Sequence, residues 1–228
     1  MDSSIKQNPI FLKYAIGIGL LFVLVLPFYY WLITLGDISI YFSFDIPPGQ
    51  AYYIFSKLTG MYALVLIWAQ IVLALLKQSS FRQSLSFWNV NFHRRLGLSA
   101  AFCVALHAGL FVAAVSIRKA EFAYGLLLPN FTHGFYAFSV TLGVLAVYLI
   151  LAVIITGFLQ KNKSIRLTWI HRFAIVAFIL AFIHSLLIGT ETRFSFISLN
   201  YFLMAGLLLF ALWARFYRPF TQKDITSS

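Results

Sequence analysis

Four of the five histidines fall into two pairs of nearly equal spacing: His93 and His107 are fourteen residues apart, His171 and His184 thirteen. Both pairs lie in stretches apolar enough to cross a bilayer. An ionisable side chain is expensive there and marks a functional site by default. A neutral imidazole offers one ring nitrogen to a metal. At about 1.5 Å of rise per residue, the two spacings climb about 21 Å and about 19.5 Å. Two helices running the same way would therefore hold imidazoles at two matched depths, His93 with His171 and His107 with His184.

The number of ligands per level narrows the metal. A zinc site gathers three or four ligands at one point, whereas each level here offers two. A porphyrin iron needs only two axial nitrogens, because the ring supplies the rest. Cofactors in helical bundles are held in this way, by inward side chains of facing helices. Two haems, one per level, are the expectation. Gly97 and Ala100 share the stripe of His93 and His107 and would leave room for a flat ring; small residues also serve close helix packing. The phase of the second pair is less tidy. At about 100° per residue, His93 and His107 differ by about 40°, but His171 and His184 differ by about 140°. Their helix is either locally irregular or presents its rings from different flanks.

Charged neighbours extend the pattern. Arg94, Arg95 and Arg172 directly follow the first histidine of each pair. Each could neutralise a haem propionate or simply belong to the basic face of a membrane protein. Towards the other end, Lys57, Arg118, Lys119 and Arg193 could pair the remaining propionates or attract an anionic electron acceptor. His133, at the start of the fourth apolar segment, reads as a loop histidine rather than a contact to substrate metal. Phe178 lies between the two levels, placed to bridge the rings or to fill the core. Cys103 is the only cysteine, which excludes an intramolecular disulfide and a thiolate metal site. It reads as a small apolar-like filler.

Six apolar segments must position these groups: residues 14–35, 51–76, 92–117, 134–159, 167–189 and 196–214. Each is long enough to span about 30 Å of hydrocarbon. Hydrophobic residues at 61% and charged residues at 10% exclude a soluble domain of this size. The expected fold is an all-α integral membrane protein, one six-transmembrane-helix bundle over residues 1–228. The first segment is too long for a cleavable signal and is expected to be retained. The formal charge of +11 invites nucleic acid, but its distribution excludes that partner. With segments alternating in direction, Lys57, Arg118, Lys119 and Arg193 fall on one side and every other Lys and Arg on the opposite side. That is the positive-inside bias, so both termini should be cytoplasmic. Tyr29, Tyr30 and Trp31 outside, and Trp88, Trp169, Trp213 and Tyr217 inside, form the expected interfacial belts. Pro27 should kink the first helix, and Pro47-Pro48-Gly49 marks a turn. Asn130, in the sequence NFT, is a formal glycosylation acceptor, but the compact loops point to a bacterial inner membrane.

FHRRLG with its histidine fourteen positions on, and WIHRF with its histidine thirteen positions on, resemble the ferric reductase-like transmembrane domain of ferric reductases and NADPH oxidases. The resemblance covers nearly the whole chain. It implies two b-type haems with His93, His107, His171 and His184 as axial ligands. It further implies an oxidoreductase component that passes electrons from a cytoplasmic flavin to an external acceptor such as ferric iron or dioxygen. Full-length members continue into a flavin and nicotinamide-binding module. Here no Gly-rich nucleotide fingerprint lies outside the spans, and Arg218-Pro219-Phe220-Thr221 resembles the start of that connection. The expected donor is a separate flavoprotein reductase carrying FAD or FMN, a free flavin, or the quinone pool. A similar bacterial relative is the haem-binding membrane subunit of a periplasmic methionine-sulfoxide reductase system, which delivers electrons to an external partner protein. That relative usually lacks a histidine at the position of His93. The rival from another class is a metal or cation permease with a histidine-lined path. It should carry intramembrane carboxylates or helices broken at the midplane, yet Asp2, Asp37, Asp45, Glu121, Glu191 and Asp224 all fall in tails or loops.

Overall fold

The computed structural model describes residues 9–42, 46–82, 85–132, 134–159, 165–189 and 195–216. Asp2, Asp45, His133, Glu191, Arg193, Tyr217, Arg218, Pro219, Phe220, Thr221 and Asp224, named above, lie outside the described residues. Among the described residues seven α-helices run in chain order: α1 (Pro9–Leu35), α2 (Gln50–Lys77), α3 (Val90–Lys119), α4 (Gly134–Leu159), α5 (Ile165–Arg172), α6 (Ala174–Ile188) and α7 (Ser195–Phe216). They supply six helical segments long and apolar enough to cross a membrane, the fifth being α5 and α6 in series. The chain is therefore an all-α, multi-pass integral membrane protein. Its backbone polar groups are satisfied within helices, as hydrocarbon demands.

α2 is the axis of the bundle. Buried residues make up 61% of its most apolar stretch, against 20% for that of α1. α3 packs along α2, α7 and α6 close its other flanks, and α4 pairs with α5 and α6. The core between them includes Leu64, Ile67, Trp68, Ala100, Ala177, Phe178 and Met204. Buried indoles find acceptors across helices: Trp31 Nε1 donates to Ile54 O at 3.0 Å and Trp68 Nε1 to Met204 O at 2.8 Å. Large apolar side chains such as Phe102, Leu151 and Phe202 face outward. On a soluble surface such a coat would be a liability; here it meets lipid.

Local signals set the helix ends that matter for the histidines. Asn89 caps α3, its side-chain oxygen accepting from Phe92 N at 2.9 Å, so the helix is fixed one turn before His93. At the head of α2, Gly49 has φ 78°. A Cβ there would stand 2.4 Å from Ala114 O, so the turn and the close approach of α3 both require glycine. The connection after α3 contains a short 3₁₀ helix, Tyr124–Leu127. It is tied to α4 by Asn130 N donating to Thr141 Oγ1 at 2.7 Å and by that hydroxyl donating to Asn130 O at 2.8 Å.

The segment carrying His171 and His184 is irregular. α5 ends at Arg172 and α6 begins at Ala174. Between them Phe173, with ψ −6°, donates to Ile170 O at 3.0 Å, three residues back rather than four. Of the two alternatives left by the 140° phase, a local irregularity is present at Phe173.

Candidate functional site

The histidines pair as their spacing requires. The His93 and His171 ring centres lie 5.9 Å apart with planes at 64°. Those of His107 and His184 lie 6.4 Å apart with planes at 72°. A metal–imidazole bond of about 2 Å puts a ring centre roughly 3 Å from the metal, so two rings on opposite sides of one metal stand roughly 6 Å apart. Both spacings match that figure. α3 supplies one ring to each pair, and α5 and α6 supply the others.

Three of the four imidazoles are held by helix carbonyls. His107 Nδ1 lies 2.8 Å from Ser56 O and 3.1 Å from Ser56 Oγ, and Ser56 Oγ also donates to His107 O at 3.0 Å. His184 Nδ1 lies 2.7 Å from Ser139 O. His171 Nδ1 lies 3.3 Å from Val153 O. A carbonyl only accepts, so each of these Nδ1 atoms carries the proton and Nε2 keeps its lone pair. That is the tautomer of a metal-ligating histidine, whose second ring nitrogen donates to just such a group. Both serines are fully buried, at 1% and 0% exposure, so water does not compete for the bonds.

Glycines make room for the rings. A Cβ on Gly60 would meet His107 Nδ1 at 2.7 Å, and one on Gly143 would meet His184 Nδ1 at 2.8 Å. On Gly157 it would meet His171 Cε1 at an ordinary 3.6 Å. His93 differs from the other three. Gln70 Nε2 donates to His93 O at 3.2 Å and stands 3.4 and 3.3 Å from the two ring nitrogens.

The room expected beside Gly97 and Ala100 is not there. A Cβ on Gly97 would lie 2.8 Å from Gln70 Nε2, and Ala100 is 3% exposed within the core. The reason is the tight packing of α3 along α2. Open space lies instead on another flank of α3. A groove of about 500 Å³ there is lined by Ala108, Gly109, Val112, Ala113, Ser116 and Ile117, with Phe122 and Leu127 from the following connection.

No family model matches the chain, and no curated protein or solved structure matches it. The chemistry of the site rests on its geometry.

The remaining candidates make other contacts. Arg94 sits over the Phe158 ring at 4.9 Å and Arg172 over Trp169 at 4.8 Å; both guanidinium side chains, and that of Arg95, are exposed. Phe178 is 3% exposed and pairs with Phe182 at 5.6 Å, so it fills the core. Cys103 packs against that core. Among the described residues no group of three or more His, Cys, Asp or Glu converges on one point. Each level therefore offers two nitrogens, a donor set suited to an ion whose other positions a macrocycle fills. Sequence reasoning missed Ser56, Gly60, Gln70, Ser139, Gly143, Val153 and Gly157. The available signal was a serine followed four residues later by glycine, present in both α2 and α4.

Proposed function

We propose that this protein holds two b-type haems, one between His93 and His171 and one between His107 and His184. We propose further that it carries electrons across the membrane as a ferric reductase-like oxidoreductase component. The observation that carries the reading is the matched pairing, with ring centres 5.9 and 6.4 Å apart at two levels of one bundle. When bound, the porphyrin irons would supply one-electron chemistry whose potential the ligands and their surroundings tune. The chain's own residues do the rest. Ser56, Ser139 and Val153 orient imidazoles through their carbonyls, and the core around Trp68 and Phe178 excludes water.

Two histidines at each level would hold an iron porphyrin, which would supply one-electron transfer to an acceptor outside the bundle. A ferric chelate is the favoured acceptor, and a separate flavoprotein or a quinone the favoured donor. The basic bias of the loops supports cytoplasmic termini and outward flow from the 93/171 level to the 107/184 level. The permease reading is weaker, because Asp37 and Glu121 stand outside the helices and the one interrupted span breaks near its start.

Protein purified from haem-replete cells should be red, with about two haems per chain by haemochrome assay. In vesicles enclosing dithionite it should reduce external ferric citrate. Colourless, folded protein would refute the haem reading and favour the permease.

A further inference from the structure

We propose that residues 50–119 and 134–188 are two copies of one histidine-clamping hairpin, in which the clamp is a helix carbonyl uncovered by a glycine four residues further on. What the clamps hold, two haems, rests on the function proposed above; the clamp geometry does not.

The device occurs three times. Ser56 O receives His107 and is followed by Gly60; Ser139 O receives His184 and is followed by Gly143; Val153 O receives His171 and is followed by Gly157. In an α-helix the carbonyl of residue i is already bonded to the N–H of residue i+4. A side chain at i+4 would stand beside its second lone pair, and glycine leaves that approach open. Tightness and intolerance run together. The clamps at 2.8 and 2.7 Å have glycines whose Cβ would lie 2.7 and 2.8 Å from the ring, and the 3.3 Å clamp has one at 3.6 Å.

The sequences repeat as the geometry does. Residues 53–76 of α2 read YIFSKLTGMYALVLIWAQIVLALL, and residues 136–159 of α4 read YAFSVTLGVLAVYLILAVIITGFL. Aligned without a gap they are identical at Tyr, Phe, Ser, Gly, Ala, Leu, Ile, Ala, Ile and Leu, ten of twenty-four positions. Apolar composition alone does not match buried Ser56 to buried Ser139, or Gly60 to Gly143. The returning arms agree as well: His93-Arg94 matches His171-Arg172, buried Ala100 matches buried Ala177, and His107 matches His184. Both first arms run in one direction and both second arms return, as in parallel repeats related by an axis along the membrane normal.

The fourth quarter breaks the rule in a way that supports it. Gln70 stands where the other copy has Val153, and Ala74 where it has Gly157. Without the glycine, His93 meets no carbonyl of α2. It meets the Gln70 amide instead, in space left by Gly97.

The test compares Gly60→Ala, Gly143→Ala and Gly157→Ala, with Gly109→Ala, whose added methyl meets nothing within 4 Å, as control. The readouts are haem retention at each level and the electron paramagnetic resonance signature of each haem. Gly60→Ala and Gly143→Ala should produce the same change, confined to the 107/184 level, with haem held about 10–100-fold more weakly. Gly157→Ala should give a smaller change, confined to the 93/171 level, and the control should stay near wild type. Unchanged spectra in the first two, or damage spread over both levels, overturns the proposal. Should Gly60→Ala fail to fold, His107→Ala is added to it. Recovery to the yield of His107→Ala alone supports a clash with that ring, and no recovery overturns the clamp. A wild type that binds no haem sinks the proposed function, while this folding comparison still judges the clamp.

Discussion

Replacing His107 by Leu removes one nitrogen from the 107/184 level with little change in side-chain size. The local cost follows from the bonds involved. Ser56 O loses the imidazole N–H at 2.8 Å but keeps the Thr59 hydroxyl, which donates to it at 2.9 Å. Ser56 Oγ keeps its bond to the backbone oxygen of residue 107. The loss is one hydrogen bond with no orphaned partner, about 0.5–1.5 kcal/mol. For a chain of this size that lowers the melting temperature by about 2–4 °C per kcal/mol. The protein should therefore elute from size exclusion as wild type does, with haem falling from about two to about one per chain, since the other level lies about 21 Å away along α3. Haemochrome assay and low-temperature difference spectra read both numbers. His184→Leu should give the same product, and the double variant should lose no more than either single. Partners on one iron are non-additive, because the second removal has nothing left to remove. Retention of two haems, or loss of both from a folded protein, would refute the pairing.

Three further outcomes follow from the geometry. Asn89→Ala removes the α3 cap, costs about 1 kcal/mol and frays the turn that carries His93; on mild heating the 93/171 haem should leave first, read as stepwise loss of absorbance. Trp68→Phe removes the indole bond to the Met204 carbonyl, which keeps its partner within α7, so stability should fall by about 0.5–1.5 kcal/mol with the haem spectrum unchanged. Arg94→Ala and Arg172→Ala give up exposed cation–π contacts with Phe158 and Trp169, worth about 0.5–1 kcal/mol each; haem content should hold, and selective loss from the 93/171 level would instead assign these side chains to propionates.

The histidine pairs and the helices that carry them were legible because both are written in side chains. Apolar length defines a span, and a lone ionisable group within it is conspicuous. Their partners were not legible for the opposite reason. Ser56, Ser139 and Val153 act through backbone carbonyls, which every residue possesses, so residue type says nothing of which one is used. What selects them is glycine four residues on, and a single glycine in an apolar helix reads as close packing. Gly97 shows the ambiguity from the other side: it shares the stripe of His93 and His107, yet the space it leaves belongs to Gln70. Only the repetition of the serine–glycine spacing in α2 and α4 separates the two meanings.

The shorter of the two histidine spacings, thirteen, lies on the arm in which the chain breaks. Deleting one residue from a continuous helix turns everything beyond it by about 100° and shifts it by about 1.5 Å. Uncorrected, the rotation would swing His184 away from α4 and carry Ala177 out of the core, while the shift in depth would hardly matter to a ring. Yet Ala177 is 0% exposed and His184 Nδ1 lies 2.7 Å from Ser139 O. The shorter arm is also the one that is not a single helix. Its irregularity is confined to Phe173, two residues past His171 and before Ala177. The tight step there winds by about 120° rather than about 100°, recovering about 20° of the mismatch. The rest of the mismatch is left to the rings, each of which finds its own carbonyl on α4, His171 at Val153 and His184 at Ser139. An arm one residue short thus serves the same two levels as its unbroken counterpart through a partial correction at Phe173 and separate ring contacts at each level.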